Sequence, residues 1–517
     1  MPNRNTDELF QLVKSLDKNE KRNFKLSMKR ADGNADLKTI ILFDALDKME
    51  EYDEIILLRK NTSISKQQLS NVKAALYKQI LASLHQYKND ANIDMLLNEQ
   101  MAYARILYNK GLYHQSLKVL DKCKQLAKNF HQQTFVLQAV FFEKKIEALH
   151  ITRSIENRAE ILSSESVAVL KHVNLVNAFS NLSLQLYSWY IKNGHARDEK
   201  DVQAMKLFFK KKVPFYEESE LHFYEQLYRY QSHCWYNFIL QDLLMYYRYA
   251  QKWVQLFNQH PEMIGVETGQ YIKGLHNLLS AHFDLNNYQK FNETLQQFET
   301  FAVSEAAYSS TNATIQTFVY LHIARINRHF LEGTFTEGLD LVPYIEEKLE
   351  EYKFHLDRHR ILVFYYKIAS LYFGSGDNDK AIDYLNKIIN WKVDLRTDLQ
   401  CYARLLHLIA HYELGNYSLL EYLIKSVYRF MGKMKSLSVV EEDIFSFLKK
   451  SLYLSPSQIT PAFAELKQNL EGHKGNPLET RSFMYLDISA WLESKIQGVP
   501  VQQIRRMKFL KKRKKEF

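Results

Sequence analysis

The sequence predicts an all-α fold, a right-handed α-solenoid built from helical hairpins, and three observations support this prediction. The chain has 517 residues but only 15 glycines and 8 prolines, the residues on which turns between short strands depend. Most long segments repeat apolar side chains at helical spacing, as Phe364, Ile368, Leu371 and Tyr372 do. A turn motif also recurs along the chain at a period typical of helical repeats.

Residues 1–95 are predicted to form an N-terminal helical domain. Ser65-Lys-Gln-Gln68 has the spacing of a capping box, in which the first and last side chains bond to each other's backbone N–H. It precedes an amphipathic helix that runs from Leu69 to Leu84. Two interpretations remain open, because these helices could close the end of a repeat array or form a separate binding domain.

Residues 96–430 are predicted to hold the repeats. Turn positions fall at 111, 154, 194, 241, 286, 333, 376 and 415, which is 304 residues in seven steps, or about 43 per step. The clearer turns begin with Gly or Asn, which tolerate a left-handed backbone, and most carry an aromatic residue two positions later. The residues that carry this pattern are Gly111, Tyr113, Ser116, Tyr288, Gly333, Phe335, Gly338, Tyr372, Gly376, Ala381, Gly415 and Tyr417.

The order Gly-x-Tyr-x-x-Ala resembles the signature of the tetratricopeptide-repeat (TPR) family, and it is best kept from Tyr365 to Ile388. The period of about 43 departs from the 34 residues of that family, and the proline that follows its second helix is missing. The resemblance implies stacked helical hairpins with a groove that binds a partner's peptide or helix. The whole chain is also similar to uncharacterised bacterial proteins of this class, for which the resemblance implies no activity.

Residues 431–504 are predicted to form a C-terminal helical cap, and residues 505–517 a basic tail. The tail carries eight basic residues and one acid, so +7 of the net charge of +10 lies there and 10 − 7 = +3 remains for the rest. It is predicted to be a solvated helix, a contact for nucleic acid or an attachment to an anionic membrane surface. The candidate polyanion-binding residues are Arg505, Arg506, Lys508, Lys511, Lys512, Arg513, Lys514 and Lys515.

The sequence predicts no catalytic, cofactor-binding or metal-binding residues, and therefore a protein that is not an enzyme. His355/His359 and His407/His411 have the i, i+4 spacing of a two-point metal ligand but lack a third ligand. Three widely separated cysteines favour a reducing compartment. No apolar run is long enough to span a membrane, so we expect a cytoplasmic protein.

The predicted function is a protein–protein interaction scaffold that binds an unknown protein or peptide partner in a solenoid groove. One alternative is a protein associated with nucleic acid or an anionic surface through its basic tail. The other is a TPR-type regulator with a DNA-binding N-terminal domain. In that case, the residues offered for reading bases are Lys66, Gln67, Gln68, Asn71 and Lys73.

Overall fold

The computed structural model describes most of the chain. The described ranges are residues 7–30, 34–87, 92–150, 157–391, 397–434, 438–473 and 487–516. Within these ranges every regular element is a helix and no strand is found. The predicted all-α fold of TPR-like helical hairpins is therefore confirmed.

The first of two compact units comprises residues 1–129 and 138–156. Its helices are α1 (Glu8–Ser15), α2 (Lys18–Arg30), α3 (Asn34–Lys48), α4 (Glu54–Lys60), α5 (Lys66–Tyr87), α6 (Ile93–Asn109), α7 (Tyr113–Asn129) and most of α8 (Gln133–Leu149). The helices α1 to α5 share one apolar core, in which the rings of Phe24 and Phe43 lie 4.8 Å apart.

The second unit comprises residues 130–137 and 157–517. Its helices are α9 (Arg158–Asn193), α10 (Glu199–Lys212), α11 (Phe223–Ile239), α12 (Leu243–Gln259), α13 (Met263–Val266), α14 (Thr268–Asp284), α15 (Tyr288–Ala302), α16 (Thr311–Glu332), α17 (Phe335–Gly338), α18 (Val342–Glu351), α19 (Arg358–Ser375), α20 (Asn378–Ile389), α21 (Thr397–Glu413), α22 (Tyr417–Lys433), α23 (Val439–Ser451), α24 (Pro456–His473), α25 (Ile488–Gln497) and α26 (Val501–Glu516).

The predicted turns coincide with left-handed backbone. A positive φ occurs at Gly111, Gly194, Gln241, Asn286, Gly333, Gly376 and Gly415, all of them predicted turn positions. The predicted turn at Ser154 lies outside the described residues. Gly498, between α25 and α26, has a φ of +68° as well. A turn of this kind therefore also lies between the last two described helices, and the predicted tail begins inside α26.

Large aromatic side chains fill the interior of the second unit. Trp253, Phe291 and Phe298 are fully buried in one apolar core, to which α11 to α16 contribute. Phe364 and Trp491 are fully buried in a second apolar core, formed by later helices. Side chains of this size bury much apolar area and occupy the space between stacked helices. The high aromatic content thus serves packing to a large extent.

Candidate functional site

Three successive hairpins present polar residues on their first helices, α14, α16 and α19. On α19, Arg360 and Lys367 are seven residues apart, and on α16 the same spacing separates Tyr320 from Asn327. Seven residues make nearly two helical turns, so both members of each pair lie on one face. The helices α14 and α16 pack together, as do α16 and α19, which brings these faces side by side.

The side chains on these faces contact one another across the helices. The Lys367 ammonium donates a hydrogen bond to Oδ1 of Asn327 at 2.6 Å. The His276 ring of α14 stacks on Tyr320 with 4.3 Å between centroids. The guanidinium of Arg360 lies 5.9 Å from the centroid of the same Tyr320 ring. One continuous polar surface therefore crosses three repeats.

Lys273 extends this surface towards the preceding helices. Its Nζ lies 4.8 Å from the ring centroid of Tyr187 on α9 and 5.5 Å from that of Trp235 on α11. Both distances allow a cation–π attraction. We name Lys273, Arg360 and Lys367 the cationic cluster.

Lys273 and Lys367 are closely surrounded by protein, yet each keeps part of its surface exposed. We call the half-buried surroundings of these two side chains the recess. Burial lowers the pKa of each ammonium to about 8, and the charge of Arg360 contributes to the shift at Lys273. Among the described residues, no carboxylate forms an ion pair with either lysine. At neutral pH both ammonium groups are thus mostly protonated, and the charge of the Asp284 carboxyl group acts on Lys367.

Asp357 pairs with Arg360 at 3.0 Å, and two further titratable groups lie close to the lysines. Burial, reinforced by the charges of Lys367, Lys273 and Arg360, lowers the pKa of His276 to about 3, so this imidazole is neutral. Burial raises the pKa of Asp284 to about 7, and the charge of Lys367 opposes this shift. A carboxyl group with that pKa is partly protonated at neutral pH. The recess therefore carries a net positive charge.

One of the two histidine pairs noted in the sequence lies on α21, the first helix of the hairpin that follows α19 and α20. His407 and His411 are both buried, and their Nε2 atoms are 3.3 Å apart. Burial is the main cause that lowers the pKa of His407 to about 4. Within the described ranges, neither this pair nor His355/His359 joins a group of three potential metal ligands.

The residues of the repeat signature lie at the hairpin turns. Tyr113, Tyr288, Phe335 and Tyr417 are each the first residue of a second helix. The small residues three positions into a second helix, Ser116, Gly338 and Ala381, are buried. The glycines at 111, 333, 376 and 415 have positive φ, and Tyr372 stacks on Tyr384 at 5.6 Å. These residues shape the hairpins and none belongs to the cationic cluster.

The first basic residues of the predicted tail are bound within the chain. The Arg505 guanidinium donates to the carbonyl oxygen of Phe330 at 3.0 Å, and that of Arg506 to the carbonyl oxygen of Glu332 at 3.2 Å. Both carbonyl groups belong to the last turn of α16. The negative end of the helix dipole stabilises cations at such a position. These two arginines thus attach α26 to a repeat.

The other tail residues differ in exposure. Lys508 pairs with Glu493 at 2.9 Å, and Lys512 donates to the carbonyl oxygen of Asn286. Polyanion binding by the tail stays a prediction. The exposed basic residues are Lys511, Lys512, Arg513 and Lys514, and the side chain of Lys515 lies outside the described residues.

In the first unit, Lys73 is engaged in an ionic cluster. Its Nζ lies 2.8 Å from Asp7 and 3.8 Å from Glu54, and it contacts the hydroxyl group of Tyr52. This cluster lines a cleft of about 480 Å³. These contacts occupy the Lys73 ammonium group, which the DNA-binding alternative requires to contact a base. The other four residues predicted for base contacts are exposed, namely Lys66, Gln67, Gln68 and Asn71.

Sequence reasoning did not identify the cationic cluster. A usable signal was present, because Lys367 lies in an otherwise apolar run between Phe364 and Ile368. A lysine on the apolar side of a predicted helix needs either a carboxylate partner or a functional reason. The sequence alone did not show which helix faces meet.

Comparison with known proteins supports the repeat architecture. A tetratricopeptide-repeat family model matches residues 362–392, which include most of α19 and all of α20. Together with the helical hairpins, this match shows a TPR-like helical repeat protein. The comparisons with curated proteins and with solved structures found no match. No helix among the described residues has the length and apolarity to cross a bilayer.

Proposed function

We propose that this TPR-like chain is a non-catalytic protein-interaction module that binds an acidic segment of a partner protein at the cationic cluster. TPR repeats generally mediate protein–protein interaction, and the cluster supplies the charge that such a partner must complement. The observation that carries the proposal is the pair of half-buried ammonium groups, Lys273 and Lys367, with which no carboxylate of the described residues forms an ion pair.

The geometry favours a carboxylate over a neutral ligand. Burial has already removed part of the water around both ammonium groups, so a carboxylate in the recess gains charge-assisted hydrogen bonds where competition from water is reduced. Arg360 pairs with Asp357 through Nη1 at 3.0 Å, and its guanidinium has further N–H groups that can donate to a partner's carboxylate. The aromatic rings of Tyr187, Trp235 and Tyr320 offer apolar area for the side chains that flank the acid.

A cytoplasmic location accompanies this proposal. Cys123, Cys234 and Cys401 are buried thiols, which suits a compartment that keeps thiols reduced.

The affinity of a short Glu/Asp-rich peptide for the full chain tests the proposal, with fluorescence anisotropy as the measurement. The wild-type chain should bind this peptide in preference to a Gln/Asn-matched peptide. The double variant Lys273→Gln/Lys367→Gln should lose about 2 kcal/mol or more of binding free energy, since truncating a hydrogen-bonded charge pair costs that much.

Lys425→Gln is the matched control for this experiment. Lys425 is an exposed lysine on the second helix of a hairpin, where it pairs with Glu421, and exposed ion pairs contribute little. This variant should bind like the wild type. Equal affinity of the double variant and the wild type for the acidic peptide would refute binding at the cationic cluster.

A further inference from the structure

A second group of titratable side chains lies away from the cationic cluster, between α9 and the start of α11. His172 is on α9, His222 immediately precedes α11, and Glu225 is in the first turn of α11. The His172 Nδ1 and Glu225 Oε1 atoms are 2.8 Å apart. The two imidazole rings stack with 3.8 Å between centroids and 17° between planes. One potential ligand atom from each residue lies within 4.8 Å of the other two.

The Glu225 carboxylate provides an independent observation. The residue is fully buried, and its Oε2 atom has no hydrogen-bond partner. An unsatisfied buried carboxylate oxygen is costly, and most such atoms in native proteins have a donor or an ion. A cation beside Oε2 would satisfy it.

The histidines are suited to bind such a cation. His172 is half-buried and His222 is exposed, so an ion from the solvent can reach their ring nitrogens. The neutral imidazole is the form that ligates metals. The group therefore offers two imidazole nitrogens beside a buried carboxylate oxygen that has no hydrogen-bond partner.

We propose that His172, His222 and Glu225 form a Zn²⁺ site. Two imidazoles and one carboxylate are a donor set that zinc takes in proteins, with a fourth position left for water or another ligand. The ion would link the middle of α9 to the beginning of α11 and so hold together two helices separated by α10 in the chain. The role is structural, and it does not depend on the function proposed above.

A neighbouring group offers a matched comparison. His131, His260 and Glu262 also place potential ligand atoms within 4.8 Å of one another. Glu262, however, is exposed, and its Oε1 atom lies 3.2 Å from Nδ1 of His260. No buried unsatisfied oxygen is found there among the described residues, so this group lacks the feature that argues for an ion.

The test is zinc binding by the untagged, full-length chain. Protein freed of metal with a chelator is titrated with ZnCl₂ against a competing chromophoric chelator, and bound zinc is measured by elemental analysis after desalting. The wild type and His260→Ala should each retain one equivalent. His222→Ala should bind zinc at least about tenfold more weakly. Co²⁺ should give a tetrahedral visible spectrum with the wild type and lose it with His222→Ala.

A second variant distinguishes loss of zinc binding from loss of folding. Glu225→Gln keeps the shape of the side chain while it removes the buried charge, so the metal-free variant should melt no lower than the metal-free wild type. Zinc should raise the melting temperature of the wild type and leave that of Glu225→Gln unchanged. A wild type that retains no zinc, or a His222→Ala variant that binds zinc as tightly as the wild type, would overturn the proposal.

Discussion

Lys273 carries a half-buried ammonium group that contacts the rings of Tyr187 and Trp235, and no carboxylate of the described residues forms an ion pair with it. Such a group opposes folding as long as it is charged, because burial has removed part of its hydration. The fold tolerates this cost at a residue that would recognise a partner, and trade-offs between stability and function are common at binding sites.

Replacement of Lys273 by methionine should therefore stabilise the free protein. Methionine keeps an unbranched chain and makes favourable contacts with aromatic rings. We expect the free energy of unfolding at pH 7 to rise by about 1 kcal/mol, measured by urea denaturation. The exposed Lys425→Met variant should change it by no more than about 0.5 kcal/mol. A clear loss of stability in Lys273→Met would show that the ammonium supports the fold.

Buried histidines make a second prediction at this scale. Burial lowers the pKa of His233, His282 and His322 to about 4 and that of His276 to about 3. Unfolded histidines have a pKa near 6.5, so the unfolded chain binds more protons below that pH. The free energy of unfolding should fall as the pH drops from about 6.5 towards 4.

The measurement is urea denaturation at several pH values in that range. The variant His322→Gln should show a shallower fall than the wild type. Parallel pH profiles for the two proteins would contradict the assignment of a neutral, buried imidazole to His322.

At the scale of elements, the turn glycines differ in what surrounds them. Gly333 has a φ of +69°, and a Cβ there would lie 2.5 Å from the backbone nitrogen of Arg506 on α26. Gly415 has nearly the same φ, +71°, but a Cβ there would meet only the Tyr417 ring at 3.9 Å. The two positions thus share the conformational requirement and differ in the close approach of α26.

An alanine scan of these two turns separates the effects. Gly415→Ala should cost about 1 kcal/mol of unfolding free energy, the penalty of a left-handed alanine. Gly333→Ala should cost about 1–3 kcal/mol more, because α26 must move away. Urea denaturation of both variants measures the difference. Equal losses would argue against the contact between α26 and the turn after α16.

The same elements show which features of the fold the sequence patterns predict and which they do not. The turns at Gly333, Gly376 and Gly415 were predictable, because a left-handed backbone position after a helix is usually occupied by glycine. The attachment of α26 through Arg505 and Arg506 was not, since the acceptors are backbone carbonyl groups that carry no residue-type signal. The charge pattern predicted a basic tail but not that Arg505 and Arg506 would bond to a repeat.

At the scale of the whole molecule, the predicted repeat architecture is confirmed, whereas the candidate site came from the structure. Lys273, Arg360 and Lys367 lie on two helices far apart in sequence, and only the stacking of α14, α16 and α19 brings them together. A degenerate repeat with a period of about 43 does not reveal which face of each helix meets its neighbours. His172 and His222 were likewise fifty residues apart with no motif to connect them.

The central claim is that the repeats bind acidic segments at the cationic cluster, and a calorimetric titration at about pH 8 tests it most directly. A bound carboxylate favours the protonated form of Lys273 and Lys367, so it raises their pKa values from about 8. Binding of the Glu/Asp-rich peptide should therefore take up protons, which makes the measured heat depend on the ionisation enthalpy of the buffer. The variant Lys273→Gln/Lys367→Gln should lose both the affinity and the proton uptake. The titration is run in two buffers of different ionisation enthalpy. Undiminished binding by that variant, together with equal heats for the wild type in the two buffers, would contradict the claim.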